Sequence, residues 1–302
     1  MMNTYLPADV PVEKEAEFLE NYTRATGGSG RLMLFAGDQK VEHLNKDFFG
    51  PGITAEDNDP EHLFKIASMA EIGVFATQFG LIIRYARTYP KIPYLVKLNS
   101  KTNIIPVQEK DPLSEQWLTM NEIVEFKKSS GLQILGVGYT LYLGSEHEPI
   151  MLRQAARAVH EAHKNGLLAV LWIYPKGKYI RDEHDPALIA GAAGVGACLG
   201  ADFVKLKVPF RDGKFDPELL RIVTEAAGNT GVLCEGGSKV DEKAFLSELH
   251  EQIHKGNSRG NGTGRNIHQR PLAEAIKMAA AIYAVTVKNA TVEEAMNKIS
   301  NR

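Results

Sequence analysis

Short apolar runs alternate with amphipathic ones along almost the whole chain, and no other feature restricts the fold as much. The apolar runs cover 31–36, 73–78, 94–99, 134–139, 167–174, 203–208 and 231–235. Helical periodicity falls between them at 61–71, 117–128, 186–199, 217–227, 242–253 and 271–286. Leu152, Ala155, Ala156, Val159 and Ala162 make one such stripe, spaced by three and four residues. Two strands separated by a helix cannot be joined as a tight hairpin. They return as parallel neighbours with the helix on a sheet face.

The helix ends carry their own signals. Asp185-Pro186 and Asp216-Pro217 each place a capping carboxylate before a proline at the first helical position. Gly166, Gly200 and Gly228 stand where helices are expected to stop. Seven marked strands and a weakly marked eighth predict an α/β chain folded as a single (β/α)8 TIM barrel. It would occupy 1–302 as one domain, with its core at about 31–286, an N-terminal extension of about 30 residues and a C-terminal helix at 292–299. The eighth strand must come from 254–264, which is polar and glycine-rich, so it is either very short or a mobile rim. A doubly wound sheet is the other arrangement of such units. No G-x-G-x-x-G opens a helix after the first run, which counts against it.

Composition excludes some function classes. The net charge is −2, so no broad nucleic-acid or membrane-surface footprint is expected. The two cysteines, Cys198 and Cys234, lie in apolar stretches and read as reduced core residues of an intracellular protein. The N-terminus lacks the basic-then-apolar pattern of a leader, and 187–203 is too short and glycine-rich to span a bilayer. A soluble, cytoplasmic protein is expected. No histidine spacing is read as a metal site; His43, His160, His163 and His254 read as surface or helix residues. No metal or other cofactor is expected.

In a barrel of this kind the chemistry sits at the C-terminal strand ends. Those ends are polar here, while the strand bodies before them are apolar. Lys205 and Lys207 share one face of the sixth strand. Like charges on a buried face favour loss of one proton, and a neutral lysine amine is a nucleophile toward carbonyls. The plain alternative is an edge strand with both lysines in water, but a closed barrel has no edge. Trp172 and Tyr174 share a face of the fifth strand, with Ile173 opposite. A tyrosine beside a lysine is a usable acid/base, its pKa expected to fall. Asp38 follows the first strand. Gly236, Gly237 and Ser238 follow the seventh, and Gly264 and Arg265 precede the last long helix. Paired glycine loops at those places suit a phosphate.

The segments Phe35-Ala-Gly-Asp38-Gln, Trp172-Ile-Tyr174-Pro-Lys-Gly177, Ala201-Asp-Phe-Val-Lys205, Glu235-Gly-Gly-Ser238-Lys and Gly264-Arg265-Asn-Ile-His-Gln269 together resemble the archaeal-type class I fructose-1,6-bisphosphate aldolases, relatives of the deoxyribose-phosphate aldolase-like barrels. The resemblance runs from about 32 to about 286. It implies metal-independent, reversible cleavage of fructose 1,6-bisphosphate to dihydroxyacetone phosphate and glyceraldehyde 3-phosphate, a step of glycolysis and gluconeogenesis. It implies Lys205 as the Schiff-base lysine, Tyr174 as acid/base, and Trp172 and Asp38 as active-site residues. Gly236, Gly237, Ser238, Gly264 and Arg265 would be the phosphate loops. Lys207 would keep Lys205 deprotonated by repulsion. Lys97, Lys176 and Arg181 are candidates for a second phosphate, and a homo-oligomer is expected by analogy. The position often held by Phe in the family is His268 here. Other substrates fit the same residues: a transaldolase-like or thiolase-like relative acting on another phosphorylated ketose, or a sugar-phosphate isomerase or binding barrel that forms no imine.

Overall fold

The computed structural model describes residues 6–300, so the first residues of the expected N-terminal extension lie outside the described range. Eight parallel strands close into a barrel. They are β1 (Leu32–Ala36), β2 (Val74–Gln78), β3 (Tyr94–Lys97), β4 (Ile134–Leu143), β5 (Leu168–Pro175), β6 (Phe203–Leu206), β7 (Gly231–Glu235) and β8 (Gly260–Thr263). Neighbours follow sequence order, and β8 closes onto β1, Leu32 beside Gly260 and Leu34 beside Gly262. A two-stranded hairpin, Phe210–Arg211 with Lys214–Phe215, rises after β6.

Strand alternation separates two cores. Leu34, Ala36, Val74, Ala76, Leu95, Leu168, Val170, Phe203 and Leu233 point inward and fill the barrel. Met33, Phe35, Phe75, Tyr94, Val96, Ile173, Val204 and Val232 point outward against the helices. The bodies of the first seven strands are largely apolar on both faces because both are covered, which is why those runs looked continuous. The caps behave as the sequence indicated. Asp185 accepts from the amides of Ala187 and Leu188, and Asp216 from that of Glu218.

Three features differ from the sequence reading. The N-terminal extension contains a helix, Glu15–Thr26, whose Phe18 and Ala25 close the bottom of the inner core beside Val10. Cys198 is exposed, on the outer side of its helix; only Cys234 is a core residue. β4 runs to Leu143, four residues past its apolar run, and stays paired with β5 as far as Pro175.

The eighth strand exists and its glycines have a packing reason. A Cβ on Gly260 would lie 1.9 Å from the carbonyl oxygen of Leu32, and one on Gly262 would lie 2.6 Å from the Lys205 stem. The outward residues are polar because they serve each other. Thr263 donates to Asn261, and Asn261 donates to Thr286 on the covering helix at 2.7 Å.

Candidate active site

A cavity of about 180 Å³ opens at the C-terminal ends of the strands. Asp38, Trp172, Tyr174, Lys205, Lys207, Gly236, Gly237, Gly264 and Arg265 all line it. Ser238 does not; it lines an adjoining cavity on the far side of Arg265, with Asp47, Gly52 and Lys239.

Lys205 occupies an inward position on β6 and is 7% exposed. Its ammonium donates to the Tyr174 oxygen at 2.8 Å. Burial lowers its pKa, outweighing the pull of Glu235, Asp38 and Glu42, and the Arg265 charge lowers it further. The cavity therefore contains an amine that gives up its proton more readily than an ordinary lysine. Such an amine can add to a carbonyl.

The Tyr174 pKa moves the opposite way from the expectation. Burial raises it well above the ordinary value, and Glu235, Glu42 and Asp38 add to the rise. One amine of lowered basicity cannot offset three carboxylates and lost hydration. Tyr174 is thus a protonated phenol, a proton donor rather than a ready base. Its ring stacks at 6.4 Å on Tyr142, whose hydroxyl donates to Glu42 at 3.0 Å.

Lys207 lies just beyond the end of β6 and pairs with Glu183 at 2.9 Å. Its charge is met there, so the cation that works against a proton on Lys205 is Arg265 rather than Lys207. Arg265 itself faces Asp47 at 3.7 Å, and Asp47 also contacts His43 at 2.5 Å. Gly236 spends its amide on the Gly262 carbonyl at 3.1 Å, within the barrel ladder.

Residues 32–270 match the family described as DeoC/LacD family aldolase. This chain belongs to that family. The fructose-bisphosphate aldolase/6-deoxy-5-ketofructose 1-phosphate synthase of Methanocaldococcus jannaschii is 53% identical over 291 residues, covering 96% of this chain and 93% of that protein. The fructose-bisphosphate aldolase from Slackia heliotrinireducens superposes with a TM-score of 0.95 at 50% identity, covering 98% and 94% of the two chains. An archaeal fructose-1,6-bisphosphate aldolase, solved with its catalytic lysine bound to the carbinolamine intermediate, superposes with a TM-score of 0.74 at 29% identity, covering 89% of this chain and 99% of that one.

This member of the DeoC/LacD aldolases has a second buried lysine at its centre. Lys97, an inward residue of β3, is 1% exposed. It donates to the Thr140 hydroxyl at 2.6 Å and lies 3.7 Å from an Asp38 carboxylate oxygen. Burial lowers its pKa to about 8, partly offset by Asp38, and Lys205 lowers it further. A residue so enclosed is not placed to receive a distal phosphate, as the sequence reading had it. Lys176 does line the cavity, whereas Arg181 is exposed and outside its lining. The overlooked signal was position: Leu95 and Lys97 alternate into the barrel as Phe203 and Lys205 do.

Three histidines stand in settings the sequence reading did not recognise. His163 is buried between Asp9 at 2.7 Å and Asp202 at 3.3 Å, at the bottom of the barrel. His250 and His254 stand four residues apart on the helix Glu242–His254, a spacing that was passed over, with ring centres 4.1 Å apart. No group of three or more histidine, cysteine, aspartate or glutamate side chains that could hold a metal occurs among the described residues. No helix among them is long and apolar enough to cross a membrane.

Proposed function

We propose that this chain cleaves fructose 1,6-bisphosphate reversibly through an imine on Lys205. The observation that carries the reading is the buried Lys205 amine, hydrogen-bonded to Tyr174 in a cavity bounded by two glycine loops. The amine adds to the substrate ketone, and loss of water leaves an iminium. That cation accepts the electron pair of the carbon–carbon bond as it breaks, and the aldehyde leaves. Tyr174 exchanges the proton of the hydroxyl at that bond. As a phenol it donates to the forming alkoxide in the joining direction, and the proton returns to the same oxygen in cleavage. Trp172 walls the sugar chain, and Asp38 sets the charge around both lysines. Arg265 and the glycine loops hold one phosphate. Action in the cytoplasm and self-association, both expected from the sequence, belong to this reading; sedimentation tests the latter.

Borohydride reduction in the presence of dihydroxyacetone phosphate tests the mechanism. One adduct at Lys205 is expected. No adduct sinks it and leaves an isomerase or binding barrel; an adduct elsewhere, or full cleavage by Lys205→Ala, removes Lys205 as the imine-forming lysine.

The double name of the 53% identical relative favours a second reading. Cutting a 6-deoxy-5-ketofructose 1-phosphate at the corresponding bond gives dihydroxyacetone phosphate and a three-carbon oxoaldehyde. The same imine would then be captured by a different acceptor. Offering that oxoaldehyde together with fructose 1,6-bisphosphate, and looking for the new ketose phosphate, separates the two.

A further inference from the structure

Asn266 follows Arg265 on the short helix Arg265–His268 and is 0% exposed. Its side chain spends every contact on one segment, the loop after β7. The amide nitrogen donates to the Gly236 carbonyl at 2.7 Å and to the Ser238 carbonyl at 2.9 Å. Its oxygen accepts from the Val240 amide at 3.0 Å. Asn266 thus grips three successive alternate residues of the loop from behind.

A trans peptide fixes what this does to the other side. The carbonyl of one residue and the amide of the next point in opposite directions across a rigid plane. Holding the Gly236 carbonyl turns the Gly237 amide away from Asn266. Holding the Ser238 carbonyl does the same to the amide of Lys239. Gly237 lines the reaction cavity and Lys239 the cavity adjoining it across Arg265. Neither amide has a protein acceptor among the described residues. The loop reaches this shape with Gly237 at φ +60°, where an ordinary side chain is strained.

The anchor is itself fixed. The Asn266 carbonyl accepts from the Arg270 guanidinium at 2.9 Å, and Arg270 pairs with Glu242 at the start of the helix Glu242–His254. Two residues on, His268 is fully buried against Asp57 at 2.7 Å and stacks on Phe48 at 4.8 Å. A clamp mounted this rigidly can hold two amides aimed before any ligand arrives, which removes an ordering cost from binding.

We propose that Asn266 is a positioning residue that presets the β7 loop for an anionic oxygen cluster, so that affinity for the phosphate of the substrate depends on a side chain that never touches it. This rests on the phosphorylated-ketose reading above. The test compares dihydroxyacetone phosphate with dihydroxyacetone as imine-forming ketones, using borohydride trapping at Lys205 at varied concentration. Wild-type protein that shows no preference for the phosphorylated ketone would remove the phosphate reading itself, before any variant is made. Given that preference, Asn266→Ala should raise the half-saturating concentration of dihydroxyacetone phosphate at least tenfold. It should leave the maximal trapping rate and the trapping of dihydroxyacetone within twofold. Inhibition of trapping by inorganic phosphate should weaken in parallel. Asn266→Asp, which keeps the shape and loses both donors, should behave the same way and serves if the alanine variant does not fold. Equal losses on both ketones, or unchanged half-saturation and phosphate inhibition in the folded variant, overturn the proposal.

Discussion

The Lys97 ammonium sits 3.7 Å from the centre of the Trp172 ring. That ring is held there by an absence: a Cβ on Gly138 would fall 2.5 Å from it. The aromatic face and the Asp38 carboxylate both favour the charged form of Lys97 where burial opposes it. The barrel centre thus holds two lysines of lowered pKa, one against a π face and one against a phenol.

This pairing predicts how Lys97→Met should behave. Lys205 helps to lower the Lys97 pKa, and repulsion between two ammonium groups acts on both partners. Removing the Lys97 charge raises the Lys205 pKa, so the acid limb of imine formation moves to higher pH. Trapping rate measured against pH reads this directly. An acid limb that stays in place would show that the two lysines are not coupled.

Tyr174→Phe separates imine formation from bond cleavage. The variant keeps Lys205 buried, so it should still trap dihydroxyacetone phosphate. Cleavage of fructose 1,6-bisphosphate should fall about 10²- to 10⁴-fold, the usual contribution of a positioned acid/base. Loss of trapping to the same degree as cleavage would place Tyr174 in the first step instead.

Gly262→Ala should disable the site while sparing the fold. The new methyl would meet the middle of the Lys205 stem at 2.6 Å and displace its amine. A misplacement of about 1 Å costs roughly 100-fold in rate. The melting temperature should change little, because the stem can bend toward the open cavity. A variant with wild-type turnover would mean that Lys205 reaches its substrate by another path.

His163 gives stability a pH dependence at the opposite end of the barrel. Burial favours loss of its proton, but Asp202 and then Asp9 outweigh this, and its pKa is raised above 6.5. Its contribution is therefore complete below about pH 6.5 and is lost as pH rises through the raised value. His163→Ala should cost about 3 kcal/mol in acid, typical of breaking a buried ion pair. The gap between wild-type and variant melting temperatures should narrow as pH rises. A gap that widens would reverse the assignment.

Much of the architecture was legible because burial on both faces writes each strand as an unbroken apolar run. Capping aspartates such as Asp185 and Asp216 marked helix starts through hydrogen bonds local to a few residues. β8 was nearly illegible for a non-local reason: Gly262 and Gly260 answer to Lys205 and to the Leu32 backbone, far away in sequence. The site residues could be placed at the rim by strand order alone. The direction of the Tyr174 shift could not, since it depends on Asp38 and Glu42 after β1 converging with Glu235 at the end of β7. Lys97 and His163 were misjudged for a similar reason, because a charged side chain reads as exposed until its partners are known. The helix Glu15–Thr26 had a readable stripe, Phe18, Leu19, Tyr22 and Ala25, that was overlooked.

The interior of a closed barrel is a fixed volume shared among its strands. A long side chain admitted on β6 requires a vacancy on β8, so Lys205 and Gly262 form one heritable unit despite their distance along the chain. A lineage that loses the amine becomes free to fill position 262. One that fills position 262 first has already given up the amine, so the two changes do not commute in their consequences.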